Sequence, residues 1–554
     1  MDGTMLDTPL LVSRILDHAA HRHAGSSITD FDDTLRPRTT RFDELAGRAA
    51  ATAHALAELG VDGGDVVGLL TGDRTDAVEA LFAIPSMGAV AMPLNFLLPR
   101  DVLATVLDEN RVRVLLVDPA LFRTAVDITA GLEHLRHLVV MGHGDIGDPG
   151  DLGDRDVGVH ARESLLDGRP TSFPWPAPDE RTAAVISHTS GTTGPAKAVV
   201  YTHRSIWLHS MQMCAADSAA LNSGDTVLST IPIHHVVSWG QPFAALMAGA
   251  SMVLARPRAA DALTTGDELA ALLRTYRPNK LTTTPGALQM LLRRLETHPQ
   301  QIGHLHEVLV GGSAMPPALF DAFVDRHGLT ILHAYGLTET SPLVAVARAD
   351  RHSSATDRRM QMLGQGRLPA AVEARIVEGD TVLPHDGSSV GELQLRGPWV
   401  TARYQGDPHD RWSRFDDGWL RTGDMASISP KGYLDVVDRV DDIIRSGGEW
   451  ISSVELGNAV LLDSRVTDAA VVGVPDERWG SRPFVLVNLK SGVTATARSL
   501  WRSLADSVEL WQRPDHWAFV DQIPRTSVGK YDKRTIRARH AAGDYDVTTI
   551  SPGR

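Results

Sequence analysis

Residues 183–202 read AAVISHTSGTTGPAKAVVYT. Two apolar, β-branched runs, AAVIS at 183–187 and AVVYT at 198–202, flank a segment from Thr189 to Lys197 that holds hydroxyls, glycines and one lysine. Short apolar runs bounded by turn formers predict strands, so the segment reads strand–loop–strand. The loop offers donors, close backbone approach at glycine and a positive charge, which is what phosphate oxygens require. It does not fit GxxxxGK[ST], because 196 and 198 are both alanine and no helix pattern follows. Taken alone, it could equally be an ordinary Ser/Thr/Gly turn.

The same rhythm extends outward. Residues 10–23 and 42–60 carry helical periodicity, the second closed by Gly60, and apolar runs follow at 66–70 (VVGLL), 89–95 (AVAMPLN), 112–118 (VRVLLVD) and 135–141 (LRHLVVM). Helical patterns alternating with apolar runs predict layered α/β structure with parallel strands. After about residue 350 short β-like runs take over (VEARIV, GELQLRG, YLDVVD) up to Arg439. From Asp441 onward, AAVVGV, PFVLVNL and helical stretches are enough for a small α+β domain. GHGDIGDPGDLGD and RPTSFPWPAPDE read as surface connections, and the terminal HAAGDYDVTTISPGR as a frayed tail.

Composition narrows the function. A chain of 554 residues, 43% hydrophobic and 22% charged, is far larger than a binding module and folds over most of its length. The net charge of -14 removes any overall field for nucleic acid or an anionic membrane, so an anionic ligand must be held by local donors. Only 6 of the 54 basic residues are lysine, which makes a lysine inside a motif informative. The one cysteine, Cys214, excludes an internal disulfide and a multi-cysteine metal site. No apolar run approaches the ~20 residues of a membrane span. These features point to a cytoplasmic protein without nucleic-acid partners. The histidine groups His18/His21/His23 and His304/His306 lack the spacing of a zinc site.

Further motifs follow the loop in a fixed order: PIHHVVSWG at 232–240, GGSAMP at 311–316, YGLTET at 335–340, WLRTGD at 419–424, DRVDD at 438–442, SGGEW at 446–450 and PRTSVGK at 524–530. This series resembles the adenylate-forming superfamily of acyl-CoA synthetases, nonribosomal adenylation domains and luciferases. The resemblance runs from the 42–60 helix to Lys533. The HVxxW pattern, LTETSP at 337–342 and SGGEWISSVEL at 446–456 look most like the medium- and long-chain fatty acyl-CoA synthetase branch.

The resemblance implies an α/β fold: a large N-terminal domain over 1–438 of layered sheets plus a small β-barrel-like part, a hinge at 439–442, and a small mobile α+β domain over 443–554. It implies ATP, Mg²⁺ and coenzyme A as ligands, a hydrophobic carboxylic acid or its acyl-adenylate as substrate, and an AMP-forming acid–thiol ligase. Residues Thr189, Ser190, Gly191, Thr192, Thr193 and Lys197 then hold the β- and γ-phosphates. Gly311, Gly312, Ser313, Tyr335, Gly336 and Thr338 line the adenine and acyl-adenylate site. Glu339 helps hold Mg²⁺, Asp424 accepts from the ribose hydroxyls, and Arg439 reaches the ribose and phosphate region.

On the same resemblance Lys530 bridges carboxylate and α-phosphate oxygens during adenylation, and Asp441 is the hinge on which the C-terminal domain swings. Gly447 and Gly448 then flank the tunnel that delivers the thiol. His235 sits beside the acyl carbonyl and Trp239 gates the acyl tunnel, with a core histidine and a core tryptophan as the plain alternatives. The branch often dimerises through its N-terminal domain.

The chain departs from the family pattern around the phosphates. Ala196 and Ala198 stand where proline and glycine are usual, His188 replaces a bulky residue, and Ala334 replaces a glycine before Tyr335. A glycine needed for positive φ or close approach resists replacement by alanine. These changes leave two alternatives beside the complete ligase: an enzyme that only thioesterifies a preformed acyl-adenylate, and one that loads a carrier protein.

Overall fold

The computed structural model describes residues 3–32, 34–142, 156–189, 196–255, 265–407, 414–525 and 531–550. Ser190, Gly191, Thr192, Thr193 and Lys530 lie outside the described residues.

The apolar runs form parallel strands because helices cover both of their faces. Gly158–Ala161, His137–Val140, Val114–Val117, Val66–Leu70, Val90–Pro93 and Ala183–His188 pair side by side in parallel, and Ala198–Thr202 closes this sheet antiparallel to Ala183–His188. Helix Val12–Arg22 buries Val12, Ile15, Leu16 and Ala19, one stripe at helical spacing, and helix Phe42–Glu58 packs into the same core through Phe42, Leu45, Ala49 and Leu56.

A second sheet places Ser27–Phe31, Ser251–Leu254, Thr226–Ser229, Lys280–Thr283, Glu307–Val310 and Thr330–Gly336 in parallel neighbourhood. At Thr330–Gly336 the pairing changes sense. Leu343–Val346 returns antiparallel, followed across the sheet by Gly366–Arg367, Tyr433–Arg439, Trp419–Ile428, Gly391–Arg396 and Glu373–Glu378. The strands expected as a barrel-like part are thus joined in an open order to the parallel sheet. Within the parallel part the strand order reverses at Thr226–Ser229, which has Ser251–Leu254 on one side and Lys280–Thr283 on the other, and open α/β sheets bind ligands outside the carboxyl ends of strands at such a reversal.

The third sheet centres on Gly480–Leu489, flanked by Val466–Asp476 antiparallel and His516–Phe519 parallel, with Ile444–Ser446 and Glu449–Ile451 at one side. Buried Trp517, Val485 and Val471 make its core. The fold class expected from the sequence, a large α/β N-terminal part with a small α+β C-terminal part, is the one observed.

Two local expectations change, and one hairpin goes unread in the sequence. The tail is not frayed as far as residue 550: Thr548–Thr549 pairs with His516–Phe519, and buried Ile550 donates its amide to the Asp515 carbonyl at 2.7 Å. One apolar side chain on a two-residue strand is too short a pattern to read from sequence. Between the two connecting stretches, Gly158–Ala161 adds an edge strand, and Arg162 behind it is buried on Glu79 and on the Thr52 hydroxyl at 2.8 Å. The hairpin Ser27–Phe31/Pro37–Arg41 is likewise invisible to an apolar-run reading, because its core-facing Asp30 is held by Arg38 at 2.7 Å and by the Thr75 amide at 2.7 Å. Among the described residues no helix is long and apolar enough to cross a membrane.

Candidate active site

Strands Trp419–Ile428 and Tyr433–Arg439 form a hairpin whose register sets Asp424 opposite Arg439. The guanidinium Nη1 donates to Asp424 Oδ1 at 2.8 Å, and from Thr330–Gly336, an interior strand of the same sheet, Tyr335 Oη donates to Oδ2 at 2.5 Å. Burial and then the Asp424 charge push the Tyr335 phenol well above its usual range, so it stays a donor. Asp424 is buried and both of its oxygens are engaged by cationic or phenolic donors. Each carboxylate oxygen keeps a further lone pair for a hydroxyl donor.

From Tyr335 the chain runs through Gly336, Leu337 and Thr338 into the short turn Thr338–Thr340. A Cβ on Gly336 would overlap the Pro342 carbonyl, which is why only glycine closes this bend. The turn buries Glu339 at 7% exposure, and Tyr404 Oη donates to its Oε1 at 2.5 Å. Burial and then Glu339 raise the Tyr404 phenol, leaving it protonated. Lys197 Nζ stands 5.0 Å from the Tyr404 ring centre, and Tyr201 Oη donates to the Thr338 carbonyl at 2.6 Å. Gln405 N donates to the Ala198 carbonyl at 3.0 Å. The 335–339 segment therefore joins the Asp424–Arg439 pair at one end to the end of the Ser/Thr/Gly loop at the other.

The loop begins at Thr189, whose amide bonds the Lys197 carbonyl at 2.9 Å and whose hydroxyl accepts from the Lys197 amide at 3.1 Å. Ala198 opens a strand opposite His188, and it is absent from the positive-φ residues among those described. The usual glycine is therefore not required here for a left-handed backbone, which removes the strain argument raised by this substitution. His188 is held near pKa 4 by burial, and its Nε2 has no partner among the described residues. Gly311, Gly312 and Ser313 follow Glu307–Val310. Gly312 takes φ +90, and the Ser313 carbonyl lies 3.4 Å from His333 Nε2.

His235 caps helix Val236–Ala248, its Nδ1 accepting from the Val237 amide at 3.3 Å. Its neighbour His234 packs edge-on to Phe96 at 4.9 Å and is kept near pKa 3, first by burial and then by His235. Asp73 anchors this loop by accepting from the Ile233 amide at 2.6 Å. Trp239 is 1% exposed, edge-on to Tyr201 at 4.8 Å and to Phe243 at 6.1 Å, so it sits among core side chains between the loop strand and the helix.

In the small sheet Gly447 (φ +62) and Gly448 (φ +92) turn between Ile444–Ser446 and Glu449–Ile451. A Cβ on Gly447 would come within 2.8 Å of the Trp479 ring, whereas one on Gly448 would meet nothing within 4 Å. Asp441 lies between the large and small sheets, and its neighbours are tied to the C-terminal part. Asp438 accepts from the Ser453 amide at 2.6 Å, Lys533 Nζ lies 3.7 Å from Asp438 and 3.6 Å from Asp442, and Arg537 donates to Asp442 at 2.8 Å.

Sequence reasoning missed Tyr201, Tyr404, Asp73, Trp479 and Lys533. Of these Trp479 had a signal, the exposed-turn pattern Asp476-Glu477-Arg478-Trp479-Gly480. Among the described residues no cluster of three or more His, Cys, Asp or Glu is placed to hold a metal. A cation here would rest on Glu339 and on oxygens of its ligand, the usual way of holding Mg²⁺.

Comparison with known proteins decides the family. The model of the AMP-binding enzyme matches residues 16–405, and that of the AMP-binding enzyme C-terminal domain matches 455–530. This chain belongs to the AMP-binding enzyme family. It is an AMP-forming acid–CoA ligase, the enzyme class expected from the sequence. The ligase is 34% identical to a 3-methylmercaptopropionyl-CoA ligase of Ruegeria lacuscaerulensis over 97% of this chain and 98% of that one. It is 35% identical to a long-chain-fatty-acid–CoA ligase of Thermus thermophilus over 97% of each. In fold it matches an anthranilate CoA ligase crystallised with anthranoyl-AMP, with TM-score 0.86, 22% identity, and coverage of 98% of this chain and 100% of that one.

Proposed function

We propose that the ligase converts an aliphatic carboxylic acid into its acyl-adenylate with ATP and then transfers the acyl group to coenzyme A. The observation that carries this reading is the 335–339 segment, which ties the buried Asp424–Arg439 pair to buried Glu339 and to the loop end at Lys197. A carboxylate is protected by its charge and resonance, and conversion to a mixed anhydride with AMP supplies a leaving group. The relatives' names support an aliphatic acyl group.

The residues fit the ligands they are asked to hold. Asp424 keeps lone pairs for ribose hydroxyls, and Arg439 supplies positive charge beside them. Mg²⁺ supplies charge neutralisation on phosphate oxygens, and Glu339 is the hard oxygen ligand for it. Thr189 and Lys197, with Ser190, Gly191, Thr192 and Thr193, are assigned to the β- and γ-phosphates. Lys530 is assigned to the charge that builds between carboxylate and α-phosphate, where an oriented ammonium is worth several kcal/mol.

The open space at Gly448 suits a narrow pantetheine arm, with the Trp479 ring walling the Gly447 side. Residues 439–442 form the hinge between the domains at 1–438 and 443–554, and Asp441 is its pivot. The strand position of Ala198 supports a working adenylation half-reaction over thioesterification alone. A cytoplasmic location accords with the single, half-buried Cys214, and a homodimer accords with the branch the sequence resembles.

Lys530→Ala tests the assignment. Acid-dependent exchange of pyrophosphate into ATP should fall by at least about 100-fold, several kcal/mol of lost transition-state stabilisation. Thioester formation from a synthetic acyl-adenylate should persist. Equal loss of both half-reactions contradicts the role given to Lys530.

A further inference from the structure

The hairpin whose turn is Gly447 and Gly448 is packed at its base and bonded near its tip. At the base Ile444 pairs with Ile451, and both are buried in the small core. Above them Arg445 faces Trp450, its guanidinium 4.5 Å from the ring centre, and Ser446 faces Glu449. The two glycines that follow have no side chain with which to anchor the turn, and both take positive φ.

The tip is therefore fixed by polar groups from the neighbouring strand, Gly480–Leu489. Ser446 meets this strand in register with Gly480, and the Gly447 amide donates to the Trp479 carbonyl at 2.9 Å. Trp479 is set in turn by Asp476, which accepts from the Arg478 and Trp479 amides at 2.9 and 2.8 Å. Two residues beyond Gly480 the strand supplies Arg482.

Arg482 is 6% exposed, and all five of its N–H donors are in use. Nη1 donates to Ser446 Oγ at 2.9 Å and to the Trp511 carbonyl at 2.6 Å. Nη2 donates to the Arg513 carbonyl at 2.9 Å and to Asp515 Oδ1 at 3.1 Å, while Nε donates to Asp515 Oδ2 at 2.6 Å. Asp515 and the two carbonyls answer the charge, and the bond to Ser446 is the one that reaches the glycine turn. A buried fork with every donor engaged permits one placement of its partners, and the three donors of a lysine ammonium do not reproduce it.

We infer that Arg482 is a positioning residue for thiol delivery, fixing through the Ser446 hydroxyl where the Gly447–Gly448 turn stands beside the Trp479 ring. The inference rests on the reading of this turn as the thiol path. Arg482 acts through the turn, so it bears on thioester formation and not on adenylation.

Ser446→Ala removes one hydroxyl and leaves Arg482 on Asp515 and the two carbonyls, whereas Arg482→Lys keeps the charge and loses the fork. Each variant, and the two combined, is followed by single-turnover thioester formation from a synthetic acyl-adenylate with coenzyme A varied, and by acid-dependent exchange of pyrophosphate into ATP. Ser446→Ala should slow thioester formation at saturating coenzyme A by about 10-fold, with the half-saturating concentration changed by less than about twofold and exchange near wild type, the pattern of a displaced reacting group. Arg482→Lys should show the same split, and the double variant should be no slower than Arg482→Lys alone, because both changes break one bond.

Unchanged thioester formation in Ser446→Ala, equal loss of both half-reactions, or additive losses in the double variant overturn the inference. If Arg482→Lys does not fold, Ser446→Ala decides alone. Gly447→Ala separates this inference from the reading beneath it. Slower thioester formation alone in Gly447→Ala, with Ser446→Ala at the wild-type rate, removes only the role of Arg482. Equal loss of both half-reactions in Gly447→Ala removes the thiol path and the inference with it.

Discussion

Asp424 and Arg439 face each other across one hairpin, carboxylate to guanidinium at 2.8 Å, and the phenol of Tyr335 closes on the same carboxylate at 2.5 Å. The pair lies beside the point where the large sheet changes from parallel to antiparallel pairing. Asp424→Asn keeps an acceptor for Tyr335 but removes the charge. The expected result is a rise in the KM for ATP with a fall in kcat/KM of about 10- to 100-fold, the worth of a charged hydrogen bond. Steady-state kinetics with ATP varied checks it, and an unchanged KM for ATP speaks against a ribose-binding role.

Glu339→Gln leaves an oxygen for the Tyr404 phenol, so the local fold should survive. The variant should need about tenfold or more Mg²⁺ for half-maximal pyrophosphate exchange, because a neutral amide is a poorer ligand for a hard cation. A Mg²⁺ titration unchanged from wild type would remove Glu339 from the metal site.

Gly447→Ala drives a methyl into the Trp479 ring and strains a backbone at φ +62, a cost of order 1 kcal/mol or more. Thioester formation from an acyl-adenylate should slow, while pyrophosphate exchange stays near wild type. Adding Trp479→Ala should relieve the clash and recover part of the rate. If both half-reactions drop together, these glycines do not belong to the thiol path.

Burial pushes the Asp73 carboxyl from 3.8 up to about 7, against the Ile233 amide that holds its charged form. The folded protein therefore keeps a proton that the unfolded chain has already released. Its contribution to stability is complete below 3.8 and is lost as pH rises toward about 7. Asp73→Asn retains an acceptor for Ile233 and carries no charge. It should raise the Tm at pH 8 and flatten the decline between pH 4 and 7. A Tm at pH 8 equal to or below wild type contradicts the assignment.

The sequence patterns that translated directly were those with local chemistry. AAVIS became a strand buried on both faces, and AVVYT, beside it, a strand that buries Val199 and Tyr201 at alternate positions. The motif order placed Tyr335, Glu339, Asp424 and Arg439 in one family pattern, but their mutual bonds could not be read, since 89 residues separate Tyr335 from Asp424. Tyr404 and Tyr201 were invisible because a lone tyrosine carries no periodic signal. Ser27–Phe31 was missed because its buried apolar residues, Ile28 and Phe31, are separated by Thr29 and Asp30, and Asp30 is held by Arg38 and the Thr75 amide.

The most direct test of the central claim sets two reactions side by side. One supplies free acid, ATP, Mg²⁺ and coenzyme A, and the other supplies the matching synthetic acyl-adenylate and coenzyme A without ATP, with thioester followed by mass spectrometry. A complete AMP-forming ligase gives acyl-CoA in both, with AMP and pyrophosphate released in the first. Thioester from the adenylate alone, with no pyrophosphate released from ATP for any acid tried, would contradict it.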